Sequence, residues 1–326
     1  MNSKAIVVNQ TGGPEVLQFS EVAVPAPGHG QALVRHRAIG LNFVEIYFRT
    51  GVYSAPSMPF TPGSEGAGVV EAVGPNVTEI KPGDRVAYAG GPMGSYCEAR
   101  VIPARFLVKL PDSIDEVTAA AAMLKGMTAH ALIFSTYAVK PGDTILVQAA
   151  AGGVGLILCQ WAKHLGATVI GTVGSDEKAR LAAAHGCDHT IVYTREDFVA
   201  RVKEITGGAL VPVVYDSVGQ ATFMKSLDCL RPRGLMVSFG QASGIVPPFS
   251  INLLSAKGSL YLTRPTLQTY TAKREELVER AHALFAALSS GAVKCEVKQR
   301  FALRDAAQAH RALGERHTTG SSVLMP

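Results

Sequence analysis

The sequence predicts an α/β protein in which a β-rich domain is joined to a doubly wound parallel sheet. Three observations carry that prediction. Short alternating runs broken by Gly and Pro fill the chain from Ala5 to about Val108. A Gly-rich turn at 149–155 stands between a brief apolar run and a helix-period segment. Strand-period and helix-period segments then alternate as far as residue 263.

A chain of 326 residues is long enough for two domains, and 47% hydrophobic with 17% charged residues suits a globular enzyme better than a disordered chain. The formal net charge of +5 comes from lysines and arginines spread along the chain, which favours anionic small ligands over a dedicated nucleic-acid surface. The N-terminus reads as a strand start without a signal-peptide core, and no apolar run approaches the roughly 20 residues that span a bilayer. Cys97, Cys159, Cys187, Cys229 and Cys295 are scattered, odd in number and never spaced C-x-x-C, so they read as reduced thiols of a cytoplasmic protein.

Taken in order, the first domain shows strand patterns at 32–39, 68–73 and 84–88, with turns at Pro62-Gly63, Pro75-Asn76 and 81–84. Residues 117–123 are alanine-rich and helical, and a second helical stretch, 127–137, leads into the turn 140–143. The expected sheet domain starts with strand 145–147 and helix 154–163, followed by strand 167–173. Helices at 178–185, 197–205 and 221–230 alternate with strands at 190–193, 211–215 and 235–239, and 258–263 reads as one more strand. A helix at 274–289, a strand at 297–301, a helix at 305–313 and a strand at 322–325 are not needed to complete that sheet. They imply a return to the first domain. The expected domains are therefore 1–125 with 265–326, and 126–264.

Strand, tight turn and helix at 145–163 form the start of a Rossmann βαβ unit, whose helix N-terminus receives a dinucleotide pyrophosphate. Gly152 lets a phosphate approach the backbone and Gly155 lets the helix pack on the strand, while Ala150 replaces the first Gly of the usual fingerprint. An NAD site needs an acid at the end of the second strand; an NADP site leaves that place free for a phosphate. Here the strand ends in Gly174 and Ser175. Asp176 and Glu177 read as first-turn acids after a Ser175 N-cap, and Lys178 is within reach of a phosphate. NADPH is the cofactor these residues favour.

Eight stretches together resemble the zinc-free quinone oxidoreductases of the medium-chain dehydrogenase/reductase superfamily, the zeta-crystallin type, and are most similar to the bacterial NADPH:quinone reductases. They are 12–16 (GGPEV), 38–43 (AIGLNF), 62–68 (PGSEGAG), 83–86 (GDRV), 125–128 (KGMT), 149–155 (AAAGGVG), 215–219 (YDSVG) and 233–240 (RGLMVSFG). The resemblance covers nearly the whole chain. It implies a GroES-like catalytic domain, a Rossmann domain, and a homodimer joined through the Rossmann sheets. Zinc alcohol dehydrogenases share this architecture, but Asn42 stands where their catalytic cysteine would be and Ser64 where a histidine would be. Only Cys97 falls where a structural cysteine cluster would lie, so no metal is expected.

Carried over by position, the resemblance implies cofactor contacts at Asn42 and Thr128, and pyrophosphate contacts at Gly152, Gly153 and Val154. It implies Gly174, Ser175, Lys178 and Tyr193 at the 2′-phosphate, Ser217 bordering the adenine, and Phe239, Gly240, Gln241, Leu262, Thr263 and Arg264 toward the nicotinamide half. Arg316 resembles a second phosphate-binding arginine and reads equally as a helix-end cation. Gln241 stands where the family often has Asn or Ser. Tyr47 and Tyr53 fall in a loop, 42–53, that lines the nicotinamide pocket in the resembled family. Either could donate a hydrogen bond to a substrate oxygen, and a role as pocket wall is favoured because a hydroquinone can take its proton from solvent.

The implied activity is NADPH-dependent reduction of a quinone, in which orientation and exclusion of water replace a Lewis acid. Reduction of an activated C=C bond is the alternative within the same architecture. From a different class, a non-enzymatic NADPH- or RNA-binding crystallin-like role is disfavoured by the dispersed basic residues and the lack of an aromatic RNA-binding signature.

Overall fold

A computed structural model of the chain describes residues 1–315 and 318–326. Two compact units form: residues 1–127, 270–289 and 295–326 make one, and residues 128–269 and 290–294 the other. Residues 126–127 thus fall in the first unit, and residues 265–269 and 290–294 in the second, which moves the expected boundaries.

In chain order the elements begin β1 (Asn2–Val7), β2 (Gln18–Ala23), β3 (Gln31–Leu41), α1 (Phe43–Thr50), β4 (Glu65–Val73), β5 (Arg85–Ala89), β6 (Ala99–Pro103), β7 (Val108–Lys109) and α2 (Glu116–His130). The second unit follows with β8 (Thr144–Val147), α3 (Gly153–His164), β9 (Thr168–Val173), α4 (Asp176–Ala184), β10 (His189–Val192), α5 (Phe198–Ile205), β11 (Val211–Asp216), α6 (Phe223–Leu227), β12 (Leu230–Ser238), α7 (Asn252–Ala256), β13 (Tyr261–Thr263) and α8 (Leu267–Tyr270). The chain closes with α9 (Arg274–Ser289), β14 (Val297–Ala302), α10 (Ala306–Gly314) and β15 (Ser321–Met325).

In the first unit, β1 and β2 pair antiparallel, and a larger sheet runs β14-β15-β3-β4-β5-β7 with β6 also paired to β3. β15 lies antiparallel to β3, so the end of the chain completes the sheet that its beginning started. Ile39, Phe60, Tyr96 and Leu324 are buried in one core of this unit, and Val34, Val86, Tyr88 and Ile102 in another.

The second unit is a parallel sheet in the order β10-β9-β8-β11-β12-β13 among the described residues. That order reverses direction between β8 and β11, which is where an open α/β sheet receives a ligand at its strand carboxyl ends. Leu146, Ile170, Ile191, Val214 and Met236, one from each of five strands, form its core. Caps set the helix starts: the Asp197 carboxylate accepts from Val199 N and Ala200 N at the head of α5.

Three segments differ from expectation. Residues 42–53, expected as a loop, are mostly the helix α1. Asn42 at its N-cap, Glu45 in its first turn and Gly51 in the left-handed region (φ 81°) just past its end supply the start and stop signals. The expected pair of helices at 117–123 and 127–137 is one run, α2 continuing through a π-type turn at 131–136. Glu116–Thr136 is 21 residues long and contains an 18-residue window of mean hydropathy 1.4, long and apolar enough to cross a membrane, which corrects the expectation that no apolar run approaches that length. Since 72% of its apolar window is buried inside the fold, it serves as a core helix. The strand expected at 258–263 shortens to β13 because Gly258 (φ 106°) and Ser259 (φ 57°) take turn conformations.

Candidate functional site

In the second unit the residues expected at the pyrophosphate share one turn. Ala149 adopts φ 57°, Gly152 N donates to Ala149 O at 2.9 Å, and Ala150 N donates to Thr172 O at 3.0 Å, tying the turn to β9. Gly152 is the extended N-cap of α3 and brings no side chain to the helix's first N–H groups, while Gly152, Gly153 and Val154 are all half-buried. A Cβ on Gly155 would sit 2.4 Å from Ala149 O and 2.7 Å from Ala150 O, so only glycine lets α3 pack this closely. Ala150 fits in place of the usual first glycine because Gly171 on β9 faces its methyl; a Cβ there would lie 2.6 Å from both Ala150 Cβ and Cys187 Sγ. This cradle of backbone N–H groups and missing side chains suits a dinucleotide phosphate.

Beneath the turn runs a buried polar chain that the sequence reading missed. Thr172 Oγ1 donates to Gln148 Oε1 at 2.5 Å, Gln148 Nε2 to Ser226 Oγ at 3.1 Å, and Ser226 Oγ to Asp216 Oδ2 at 3.0 Å. Asp216, fully buried at the end of β11, also accepts from Thr222 Oγ1 at 2.7 Å, Val218 N at 2.7 Å and Gly219 N at 3.0 Å. Four donors satisfy the carboxylate and fix the turn that carries Ser217. Gly240 packs directly on that turn, since a Cβ there would lie 2.5 Å from Ser217 O. Phe239 N and Gly240 N donate to Asp216 O at 2.8 and 3.3 Å. Phe239, Gly240 and Gln241 are half-buried, and Arg264, beyond β13 with its Leu262 and Thr263, donates to Ser238 O at 2.8 Å. An Asp closing the apolar run 211–215 was the available signal for this chain.

At the end of β9 the Tyr193 hydroxyl would be 2.9 Å from a Cβ on Gly174, and Thr194 Oγ1 donates to Gly174 O at 3.4 Å. Ser175 caps α4, accepting from Lys178 N at 3.3 Å. Arg316 lies outside the described residues. Thr128 is half-buried on α2 in this unit.

In the first unit Asn42 is held by two buried acids. Its N–H donates to Glu45 Oε2 at 2.8 Å and its Nδ2 to Glu65 Oε1 at 2.8 Å. Glu65 also receives Lys125 Nζ at 2.9 Å and Leu124 N at 2.6 Å, and Gly40 leaves it room, because a Cβ there would fall 2.0 Å from Glu65 Oε1. Burial pushes the Glu45 carboxyl up to about 7. Tyr47 and Tyr53, both half-buried, pack edge to face with ring centres 5.2 Å apart; Phe48 meets Tyr53 at 5.6 Å, and Tyr53 N donates to Tyr47 O at 3.0 Å. Among the described residues no three His, Cys, Asp or Glu side chains come together as a metal-holding group. With Asn42 engaged by Glu65 and Ser64 beside it, this donor set does not fit a zinc site.

Two family models match: the alcohol dehydrogenase GroES-like domain over residues 28–112 and the zinc-binding dehydrogenase over residues 153–285. A quinone oxidoreductase of Pseudomonas aeruginosa is 54% identical over 99% of this chain and 100% of its own length. A 2-haloacrylate reductase of a Burkholderia species is 47% identical over 99% of this chain and 98% of its own. The crystal structure of Escherichia coli quinone oxidoreductase complexed with NADPH is similar at a TM-score of 0.98 and 49% identity, covering 99% of this chain and 100% of that one. Full-length identity at this level, with both family models matched, places the chain in the quinone oxidoreductase family of the medium-chain dehydrogenases/reductases.

Proposed function

We propose that the chain is an NADPH-dependent quinone reductase that works without a metal. The observation that carries this reading is the full-length likeness, at a TM-score of 0.98, to a quinone oxidoreductase complexed with NADPH. When bound, NADPH supplies the hydride from its nicotinamide. The chain's own residues bind, orient and shield. Gly152, Gly153 and Val154 take the pyrophosphate on backbone N–H groups; Gly174, Ser175, Lys178 and Tyr193 take the 2′-phosphate; Ser217 borders the adenine. Phe239, Gly240, Gln241, Leu262, Thr263 and Arg264 serve the nicotinamide half with Asn42 and Thr128, and Tyr47 and Tyr53 wall the substrate.

A second reading, reduction of an activated C=C bond, draws on the 47% identity to the 2-haloacrylate reductase. Comparing kcat/KM for a panel of small quinones with that for 2-haloacrylates and enones, all with NADPH, separates the two. Quinones are expected to lead; an alkene turned over faster than every quinone would reverse the assignment.

A homodimer belongs to the same proposal. β13 ends the second unit's sheet with Tyr261 63% and Leu262 38% exposed, and an apolar edge of that kind favours pairing with its twin. Sedimentation as a monomer at micromolar concentration would count against it. Scattered free cysteines support a cytoplasmic location, which recovery of the protein in a membrane fraction would contradict.

A further inference from the structure

Arg195 stands beside the residues assigned to the 2′-phosphate and has no role in the reading so far. Its Nη1 and Nη2 reach Asp176 Oδ2 and Oδ1 at 2.9 and 2.6 Å, a two-pronged pairing of guanidinium and carboxylate. Asp176 is the first residue of α4, two past Gly174; Arg195 is two past Tyr193, whose hydroxyl lies over Gly174. The turn that carries Arg195 is built: Tyr193 N donates to Val173 O and Arg195 N to Val192 O, each at 3.1 Å, and Val192 N donates to Glu196 Oε1 at 2.8 Å.

The ion pair resolves a conflict in the sequence. An acid at the end of the second Rossmann strand suits a ribose hydroxyl and repels a phosphate that carries about −1.5 to −2 charges at neutral pH. Asp176 and Glu177 both follow Gly174, yet the remainder of this edge favours the phosphate. We propose that Arg195 is a cofactor-selectivity residue, which neutralises and holds Asp176 so that the edge accepts a 2′-phosphorylated dinucleotide. It is a positioning residue acting through Asp176, and the inference rests on the NADPH reading above. Both side chains are more than half exposed, 56% for Arg195 and 61% for Asp176, so solvent and salt screen the pair and the effect is modest.

Dissociation constants for NADPH, NADH and adenosine 2′,5′-bisphosphate, measured by calorimetry at low and high salt, test this on wild type, Arg195→Met, Asp176→Asn and the double variant. Unchanged thermal midpoints establish that all four fold. Arg195→Met is expected to weaken NADPH and the bisphosphate about fivefold at low salt and less at high salt, with NADH changed by less than about twofold. The double variant is expected to recover wild-type affinity within about twofold, because the carboxylate that Arg195 restrains is gone. Equal losses for NADPH and NADH, or a double variant as weak as Arg195→Met, would overturn the proposal. Wild type binding NADH as tightly as NADPH overturns the cofactor reading along with it, whereas a ratio of NADPH to NADH affinity left unchanged by Arg195→Met overturns the selectivity role alone.

Discussion

At the residue scale, Tyr53 is set by its ring. It stacks edge to face on both Tyr47 and Phe48, so Tyr53→Phe keeps the wall and removes only a hydroxyl. Turnover with a reactive quinone is expected to fall less than about tenfold, roughly 1.4 kcal/mol of barrier, in Tyr53→Phe, Tyr47→Phe and the double variant. A loss approaching the roughly 10²–10⁴-fold of general acid catalysis, with unchanged NADPH affinity, would establish a proton donor instead. What was legible at this scale was identity: Asn42 and Ser64 stand where zinc ligands would be. Their partners were not. Lys125 meets Glu65 across 60 positions of sequence, and Asp216 gathers the Thr222 and Ser226 hydroxyls together with the Val218 and Gly219 N–H groups.

At the element scale, the βα turn follows from backbone geometry. Gly155→Ala forces a methyl against two carbonyl oxygens of the same turn, which cannot swing aside as a flexible side chain would. Overpacking of this kind costs about 1–3 kcal/mol, and α3 must lift from the strand. We expect a lower thermal midpoint together with more than about tenfold weaker NADPH binding, measured by calorimetry. Gly152→Ala, where the nearest atom is Ala149 O at 3.2 Å, should cost less in folding. Wild-type NADPH affinity in Gly155→Ala would contradict this account of the turn. The alternation of strands and helices beyond this turn was readable because each element is short, apolar and bounded by Gly, Pro or a cap. α1 was mistaken for a loop because eight residues hold too few turns for periodicity to speak, although its capping residues were in view. β13 was read too long because positive φ at Ser259 has no sequence signature.

At the scale of the whole molecule, buried ionisable groups tie stability to pH. Burial raises the Glu45 carboxyl from an ordinary 4.5 to about 7 and lowers the His36 and His310 imidazoles from 6.5 to about 4 and about 3. His36 Nδ1 faces the Cys97 carbonyl at 2.7 Å and so carries the proton, and Nε2 lies 2.7 Å from the Tyr88 hydroxyl, so both ring nitrogens of the neutral imidazole are engaged. Between pH 4.5 and about 7 the folded chain keeps a proton on Glu45 that the unfolded chain releases, so this group's contribution is present below 4.5 and lost as the pH rises through 7. The histidines act in the opposite sense. Below 6.5 the unfolded chain protonates first, and stability falls as the pH drops toward 4 and 3. In Glu45→Gln the thermal midpoint relative to wild type should rise across the Glu45 window and then level off; a constant difference across it would contradict the burial of that carboxyl. The return of the chain end to the first unit was readable from surplus elements after residue 264. The boundary inside α2 was not, because one unbroken helix serves both units.

On the function proposed above, this chain passes reducing equivalents from NADPH to a quinone by placement, without a metal. Turnover of a small quinone by the purified protein, with NADPH and with NADH, before and after treatment with a strong chelator, tests it most directly. We expect quinone-dependent NADPH oxidation, at least about tenfold better in kcat/KM than NADH, or roughly 1.4 kcal/mol, and unchanged by the chelator. Absence of quinone-dependent NADPH oxidation, or activity lost on chelation and restored by zinc, would contradict it.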